Sequence, residues 1–310
     1  MTLPSGRDTK KPATSSTSPG SVAGGHVDYA VKYTLTDAEV EALCARLLAE
    51  RPPRVPDVLV VYRLEGTGEL SNLGRHVERE VFEERFGNTD ADMRRVYGAY
   101  EAASGFFVVV DRPANRPAGT MRNIRNSAAG LLALRDAGLS ADAFRAAYGL
   151  GRGDQSLDAV WDVGTLAIPA AYRDRGEHHI VAMLYRGAHL RGALEGMTHY
   201  VALVDRHLYR TFRTMGFAFY PMAGLAPFAY EGSDSVQPVC GVAGDFFASV
   251  AARAREAGPE LKPFLEYFER RFVHGCDVDH RLMFEYAIWP GGTSPLDGAK
   301  DRGRGGRALL

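Results

Sequence analysis

The pattern of apolar and polar positions divides the chain into predicted helices and predicted strands. Apolar residues three and four positions apart predict helices, whereas short continuous runs of β-branched and aromatic residues predict buried strands. The predicted helices cover about 37–50, 71–86, 90–103, 140–148, 177–195, 206–215, 245–257 and 259–273. The predicted strands cover about 58–64, 106–111, 118–124, 163–168 and 197–205, and a last strand region begins at Phe217.

The order of these elements indicates the fold class. Strands and helices alternate only in the second half, and the middle of the chain carries a hairpin with its turn at 112–117. This order favours an α/β fold with a mixed sheet over a doubly wound Rossmann fold. We expect a main domain over 28–242 and a helical extension over 243–289 packed on it. Residues 1–27 and 290–310 are rich in small and polar residues, which predicts two disordered tails.

Composition narrows the class of protein. The 310 residues are 45% hydrophobic, and 37 basic and 38 acidic side chains leave a net charge of -1. No sequence-wide field therefore favours nucleic acid or an anionic membrane as a partner. The three cysteines are far apart, and no run approaches the roughly 20 apolar residues of a membrane span. We expect a cytoplasmic protein with no membrane span.

Motif searches exclude several enzyme classes. The sequence has no G-x-S-x-G elbow, no Walker loop and no dinucleotide-binding glycine fingerprint. His274, Cys276 and His280 lie close together, but no paired-cysteine motif accompanies them, and we predict no metal site. Cys240 has no cationic residue near it in sequence and is predicted to be a buried thiol.

The segment 161–176 carries the strongest chemical signal. It combines a buried strand, a short basic turn with a glycine, and the start of a helix. Amides at a strand end and at a helix N-terminus offer unpaired donors to anions, so this segment can hold the phosphates and pantetheine arm of an acyl thioester. The pattern indicates an acyltransferase.

Three segments in order resemble a known superfamily. They are 118–122, then 165–168 with 172–176, and then 212–217. Their order and spacing resemble the GNAT superfamily of N-acetyltransferases, within it the acyl-homoserine-lactone synthases and the long-chain N-acyl amino acid synthases. The resemblance covers about 56–240. It implies a mixed, mostly antiparallel central sheet with a splayed strand pair, flanked by helices.

The resemblance also implies a binding site for the acyl donor. The backbone of Leu166, Ala167 and Ile168 would pair with the pantetheine arm, and Arg173, Arg175 and Gly176 would hold phosphate. The superfamily has a glycine or alanine where this chain has His178. Either acyl-CoA or the acyl-phosphopantetheine of an acyl carrier protein therefore fits as co-substrate.

Candidate catalytic residues follow from the same resemblance. Asp162 matches an acidic position of the lactone synthases and would orient the amine or take its proton; the alternative is an aspartate hydrogen-bonded to a turn. Arg122 matches an arginine of those synthases and would pair with a substrate carboxylate or with Asp162; the alternative is an outward-facing side chain. The superfamily's proton-donating tyrosine is replaced by Phe212. Tyr209 would serve if its helix presents it to the cleft, and otherwise it is a half-buried helix residue.

The resulting hypothesis is an N-acyltransferase that moves an acyl group from a thioester to the amine of a small, amino-acid-like acceptor. An aromatic-rich stretch over 217–230 would line an acyl tunnel or form ordinary core. Two alternatives stay open at this point: an acetyl-CoA-dependent small-molecule N-acetyltransferase, and a noncatalytic protein that binds acyl thioesters. The sequence does not determine the oligomeric state.

Overall fold

The computed structural model describes residues 29–53, 58–150, 157–173, 177–222, 224–274 and 285–287. The predicted tails at 1–27 and 290–310 lie outside the described residues, as do Arg175, Gly176 and the segment with Cys276 and His280.

Ten α-helices occur in this part of the chain. They are α1 Asp37–Glu50, α2 Asn72–Phe86, α3 Asp90–Tyr97, α4 Leu132–Asp136, α5 Ala141–Tyr148, α6 Ala170–Arg173, α7 Glu177–Leu194, α8 Arg206–Met215, α9 Phe246–Arg255 and α10 Lys262–Glu269. Local sequence explains several ends. Thr36 and Glu39 form a capping box at the start of α1, and Gly216, in the left-handed region with φ of 81°, ends α8.

The same part of the chain contributes nine strands to one sheet. They are β1 Leu59–Glu65, β2 Ser104–Asp111, β3 Arg116–Arg125, β4 Val160–Ala167, β5 His199–Asp205, β6 Tyr220–Pro221, β7 Phe228–Tyr230, β8 Ser233–Val242 and β9 Glu285–Ala287. The spatial order is β6-β8-β5-β4-β3-β2-β1-β9, and β7 also pairs with β8. Every pair is antiparallel except β4 with β5, which is parallel.

Helices cover both faces of this sheet. On one face, α1 and α2 pack over β1, β2 and β3. On the other face, α7 packs over β2 and β3, and a large core joins it to α8, α9 and α10. Trp161 and Phe107 from the strands, and Phe246 and Phe268 from the last helices, are almost completely buried in that core. The C-terminal helices therefore share a core with the sheet.

The parallel pair separates soon after it forms. β4 and β5 pair only at Val160 with His199, Trp161 with Tyr200, and Asp162 with Val201. Beyond these residues β4 continues along β3 and β5 continues along β8, so the two halves of the sheet diverge. Gly164 is an extra residue in β4 opposite the step from Arg122 to Asn123. Such a bulge bends a strand and increases its twist, which helps β4 turn away from β5.

The architecture confirms the fold class expected from the sequence: a mixed, mostly antiparallel sheet with a splayed strand pair and flanking helices. Two local expectations were wrong. The segment 217–219 precedes a two-residue strand and is itself not extended in the sheet, whereas the ten-residue strand β8 was missed. Pro238 and Gly241 lie within β8, and both residue types normally argue against a strand interior.

Candidate active site at the split between two strands

A cavity of about 450 Å³ lies where β4 and β5 separate. The residues from Val163 to Leu166 and from Ala202 to Asp205 line it, and no described strand pairs with this edge of β4 beyond Asp162. The cavity reaches both faces of the sheet, because α2 and α3 line one side and α7 and α8 line the other. We call these the α2 side and the α7 side. Its size lies in the range of small-molecule sites.

Asp162 is the buried acid of this cavity. It is 1% exposed, and its Oδ2 atom accepts a hydrogen bond of 2.5 Å from the backbone N–H of Ala133, at the start of α4. No ion pair to Asp162 occurs in the described part of the chain. Burial raises the pKa of this carboxyl from 3.8 to about 7, against the opposing effect of the Ala133 hydrogen bond. The hydrogen bond to the start of α4 agrees with the expected alternative of an aspartate bonded to a turn, and the raised pKa leaves a role as a base open as a proposal.

Tyr185 lies on the α7 side of the same cavity. Its ring packs edge-on against Phe212, with 5.5 Å between centroids, and against Phe217 at 4.7 Å. The residue is 6% exposed, and its hydroxyl has no hydrogen-bond partner among the described residues. Burial holds the pKa of this phenol well above its usual range, so it stays protonated. Sequence reasoning missed Tyr185, because no motif marks it within α7.

Arg122 does not contact Asp162 and does not line the cavity, which corrects the expected pairing. It is fully buried and pairs with Glu78 through Nε to Oε1 at 2.9 Å and Nη2 to Oε2 at 2.7 Å. It also reaches Glu101, which pairs in turn with buried Arg75. The partners come from α2 and from the turn before β2. Because both lie far from Arg122 in the sequence, local patterns could not predict these pairs. A buried, paired arginine of this kind has a structural role.

This ion network touches the cavity at two points. Thr165 lines the cavity and donates a hydrogen bond to Glu78. Tyr97 lies over the Arg122 guanidinium at 4.1 Å, and its hydroxyl donates to the carbonyl of Gly164 at 3.3 Å. The network therefore supports the bulge of β4 from beneath.

The expected donor-binding residues fall into three groups. Leu166 and Ile168 line the cavity, whereas Ala167 packs against α2 with Val77 and Val81. Arg173 also lines the cavity, but its guanidinium pairs with both carboxylate oxygens of Glu84, at 2.6 and 2.8 Å. Glu84 is largely exposed, so a phosphate would compete with it for Arg173. Arg175 and Gly176 lie outside the described residues.

Tyr209 is half-buried against the core and is not among the cavity-lining residues, so α8 does not present it to the cleft. Phe212 lines the cavity instead.

Only part of the aromatic stretch that was expected to line an acyl tunnel lines the cavity. Phe219 and Tyr230 line the cavity, while Phe217 belongs to the neighbouring core. Cys240 is buried, and burial raises its thiol pKa to about 12.

A hairpin formed by β7 and β8 borders the α2 side. The Tyr230 hydroxyl donates to Asp136 at 2.5 Å, and Ser233 donates to Asp205 at 2.5 Å. At the tip, Glu231 accepts two hydrogen bonds from Arg95, at 3.0 and 2.7 Å. Side chains from segments far apart in the sequence therefore line the cavity, which no sequence motif could bring together.

Two further searches of the described residues gave negative results. No group of His, Cys, Asp and Glu side chains there is arranged to hold a metal ion. Within the same residues, every helix is too short or too polar to cross a membrane.

Solved structures similar to the chain include three acyl-transfer proteins. FeeM, an N-acyl amino acid synthase from uncultured soil microbes, is 14% identical, with a TM-score of 0.48 over 66% of this chain and 99% of that one. BjaI, a CoA-dependent acyl-homoserine lactone synthase, is 12% identical, with a TM-score of 0.40 over 70% and 100%. A putative N-acetyltransferase from Lactobacillus plantarum is 16% identical, with a TM-score of 0.41 over 60% and 99%. No protein-family model and no curated protein matches the sequence. At such low identities an activity has to be argued from the cavity itself.

Proposed function

We propose that the protein is an N-acyltransferase that moves an acyl group from a thioester to the amine of a small acceptor within the split between β4 and β5. The observation that carries this proposal is the burial of the Asp162 carboxyl at the cavity where β4 and β5 separate. This carboxyl has a pKa of about 7, and it lines a cavity that reaches both faces of the sheet. A perturbed acid in such a cavity is a candidate general base.

The thioester is proposed to enter from the α7 side. Between Val163 and Ala167, the edge of β4 that faces away from β3 has no described strand partner. Apart from the Gly164 carbonyl, which accepts from Tyr97, backbone groups on this edge are proposed to pair with the amide groups of a pantetheine arm. The side chains of Val181, Leu208 and Met215 make this side apolar, which suits an acyl chain. Arg173 would bind phosphate of either acyl-CoA or an acyl carrier protein after release from Glu84.

The amine is proposed to enter from the α2 side, where Asp162 lies. The amine nitrogen attacks the thioester carbonyl carbon, forming the C–N bond and giving up a proton to the Asp162 carboxylate. The C–S bond then breaks, and the leaving thiolate takes a proton from the Tyr185 hydroxyl. Proton transfer through solvent from Asp162 to the tyrosinate restores both groups. The net products are one amide and one thiol.

This proposal is tested by turnover with a panel of donors and amines. Acetyl-, hexanoyl- and dodecanoyl-CoA are each mixed with the protein and with amino acids or simple amines, and free thiol and amide product are measured. We expect amide formation that Asp162→Asn lowers by about 10²–10⁴-fold, in line with loss of a general base. The matched control Asp158→Asn, an exposed carboxyl just before the same strand, should retain activity.

Donor length separates the two enzyme candidates. A cavity of about 450 Å³ favours the longer acyl groups, and a preference for acetyl-CoA would support the small-molecule acetyltransferase instead. Absence of amide product and of acyl-CoA binding with every donor would overturn acyl transfer altogether. Binding without thiol release would indicate a noncatalytic thioester-binding protein.

A further inference from the structure

Asn88 is a buried amide that the proposed chemistry does not use. It lies between Gly87, which ends α2 in the left-handed region, and Thr89, which caps α3. The residue is 8% exposed and lines the cavity, yet its carboxamide makes no hydrogen bond within the described chain. Its Oδ1 atom is wholly enclosed, whereas its Nδ2 group is not enclosed and donates no hydrogen bond within the described chain. A buried polar group without a partner is costly, which points to a ligand as its partner.

Some of the charged side chains around Asn88 have hydrogen-bond or ion-pair partners, and one has none among the described residues. Asp92 accepts hydrogen bonds from Thr89 and Arg95, and Glu231 pairs with both terminal nitrogens of Arg95. Arg85 is different: it lines the cavity from the last turn of α2 and has no ion pair in the described part of the chain. Phe82, Phe86 and Met93 supply the remaining, apolar wall beside it. This end of the cavity thus offers one open carboxamide and one available positive charge.

We propose that Asn88 and Arg85 form a subsite for an anionic oxygen group on the amine acceptor, and that Asn88 is a specificity-determining residue. The carboxamide N–H donates to an anionic oxygen, and Arg85 supplies the compensating charge. An acceptor anchored in this way on the α2 side would extend its amine toward Asp162. This inference rests on the proposed function for the identity of the ligand as an acceptor.

The test compares amines that differ only in the anionic group. The pairs are L-phenylalanine with phenethylamine, which tests a carboxylate, and phosphoethanolamine with ethanolamine, which tests a phosphate. Binding of each amine to the full chain is measured by saturation-transfer NMR without thioester, and KM and kcat are measured with acyl-CoA. The variants are Asn88→Leu, the isosteric Asn88→Asp and Arg85→Gln. Arg94→Gln, an exposed arginine of α3 that does not line the cavity, is the matched control.

In at least one of the two pairs, the wild type should prefer the anionic amine over the amine that lacks the anionic group. Asn88→Leu and Arg85→Gln should each raise the KM for that anionic amine about tenfold through loss of a charge-assisted hydrogen bond. The kcat and the KM for the thioester should stay within twofold. Asn88→Asp should reverse the preference by placing a second negative charge beside the anion.

Equal binding of both members of each pair to the wild type, or unchanged discrimination in the Asn88 and Arg85 variants, would overturn the subsite. Anionic binding that these variants abolish, without turnover of any amine, would refute acyl transfer and leave the subsite supported.

Discussion

Replacement of Asp162 by asparagine should make the protein more stable at high pH while it removes activity. The carboxyl is 1% exposed, and its pKa rises from 3.8 to about 7 because burial disfavours the charged form. At 1.36 kcal/mol per pH unit, this shift corresponds to about 4 kcal/mol against ionisation in the folded protein. Asparagine has the same shape, stays uncharged, and keeps an oxygen for the Ala133 N–H.

The sign of the pH effect follows from the raised pKa. Below about pH 4 the carboxyl is protonated in both the folded and unfolded chain, and it carries no ionisation cost. As the pH rises from about 4 to about 7, the unfolded chain loses the proton first, so the free energy of unfolding falls. Above about pH 7 the loss is complete. The wild type should therefore lose about 4 kcal/mol relative to Asp162→Asn across this window.

The assay is urea denaturation of the wild type, Asp162→Asn and the exposed control Asp158→Asn at a series of pH values. The control should follow the wild type. In parallel, kcat/KM of the wild type should fall below about pH 7 as the base becomes protonated. If the free energy of unfolding of the wild type and of Asp162→Asn changes with pH in the same way, the Asp162 carboxyl does not have the raised pKa on which the mechanism depends.

Three further predictions concern the walls of the cavity. Glu78→Gln leaves the fully buried Arg122 without its main counter-charge and should cost about 3–5 kcal/mol in urea denaturation; a loss under 1 kcal/mol would contradict the network. Arg95→Gln removes the ion pair with Glu231, and because the Arg95 side chain is exposed, it should lower the free energy of unfolding by less than about 1 kcal/mol in the same assay. Gly232→Ala, at φ of 88°, should lower stability by roughly 1–3 kcal/mol, whereas an unchanged melting temperature would show that the hairpin tip adapts.

The sequence by itself determined much of the fold, because helix and strand patterns are local properties of the chain. The helices predicted at 37–50 and 206–215 are both present with these bounds. The strand predicted at 163–168 is also present, although β4 begins earlier, at Val160, and ends at Ala167. The splayed pair was expected only from the resemblance to the GNAT superfamily. In contrast, β8 was missed, since its pairing with all seven residues of β5 stabilises a strand that Pro238 and Gly241 would otherwise disfavour.

Only the tertiary structure decided the chemistry of the cavity. Sequence placed Asp162 near the split, but its pKa depends on burial by segments far along the chain. Arg122 was a candidate partner for Asp162 until the fold placed Glu78 and Glu101 against it. Tyr185 and Asn88 carried no motif, and they became candidates through a shared cavity and hydrogen-bonding groups without partners. Burial, ion pairing and the meeting of distant side chains depend on the whole fold, which is why local patterns could not reveal them.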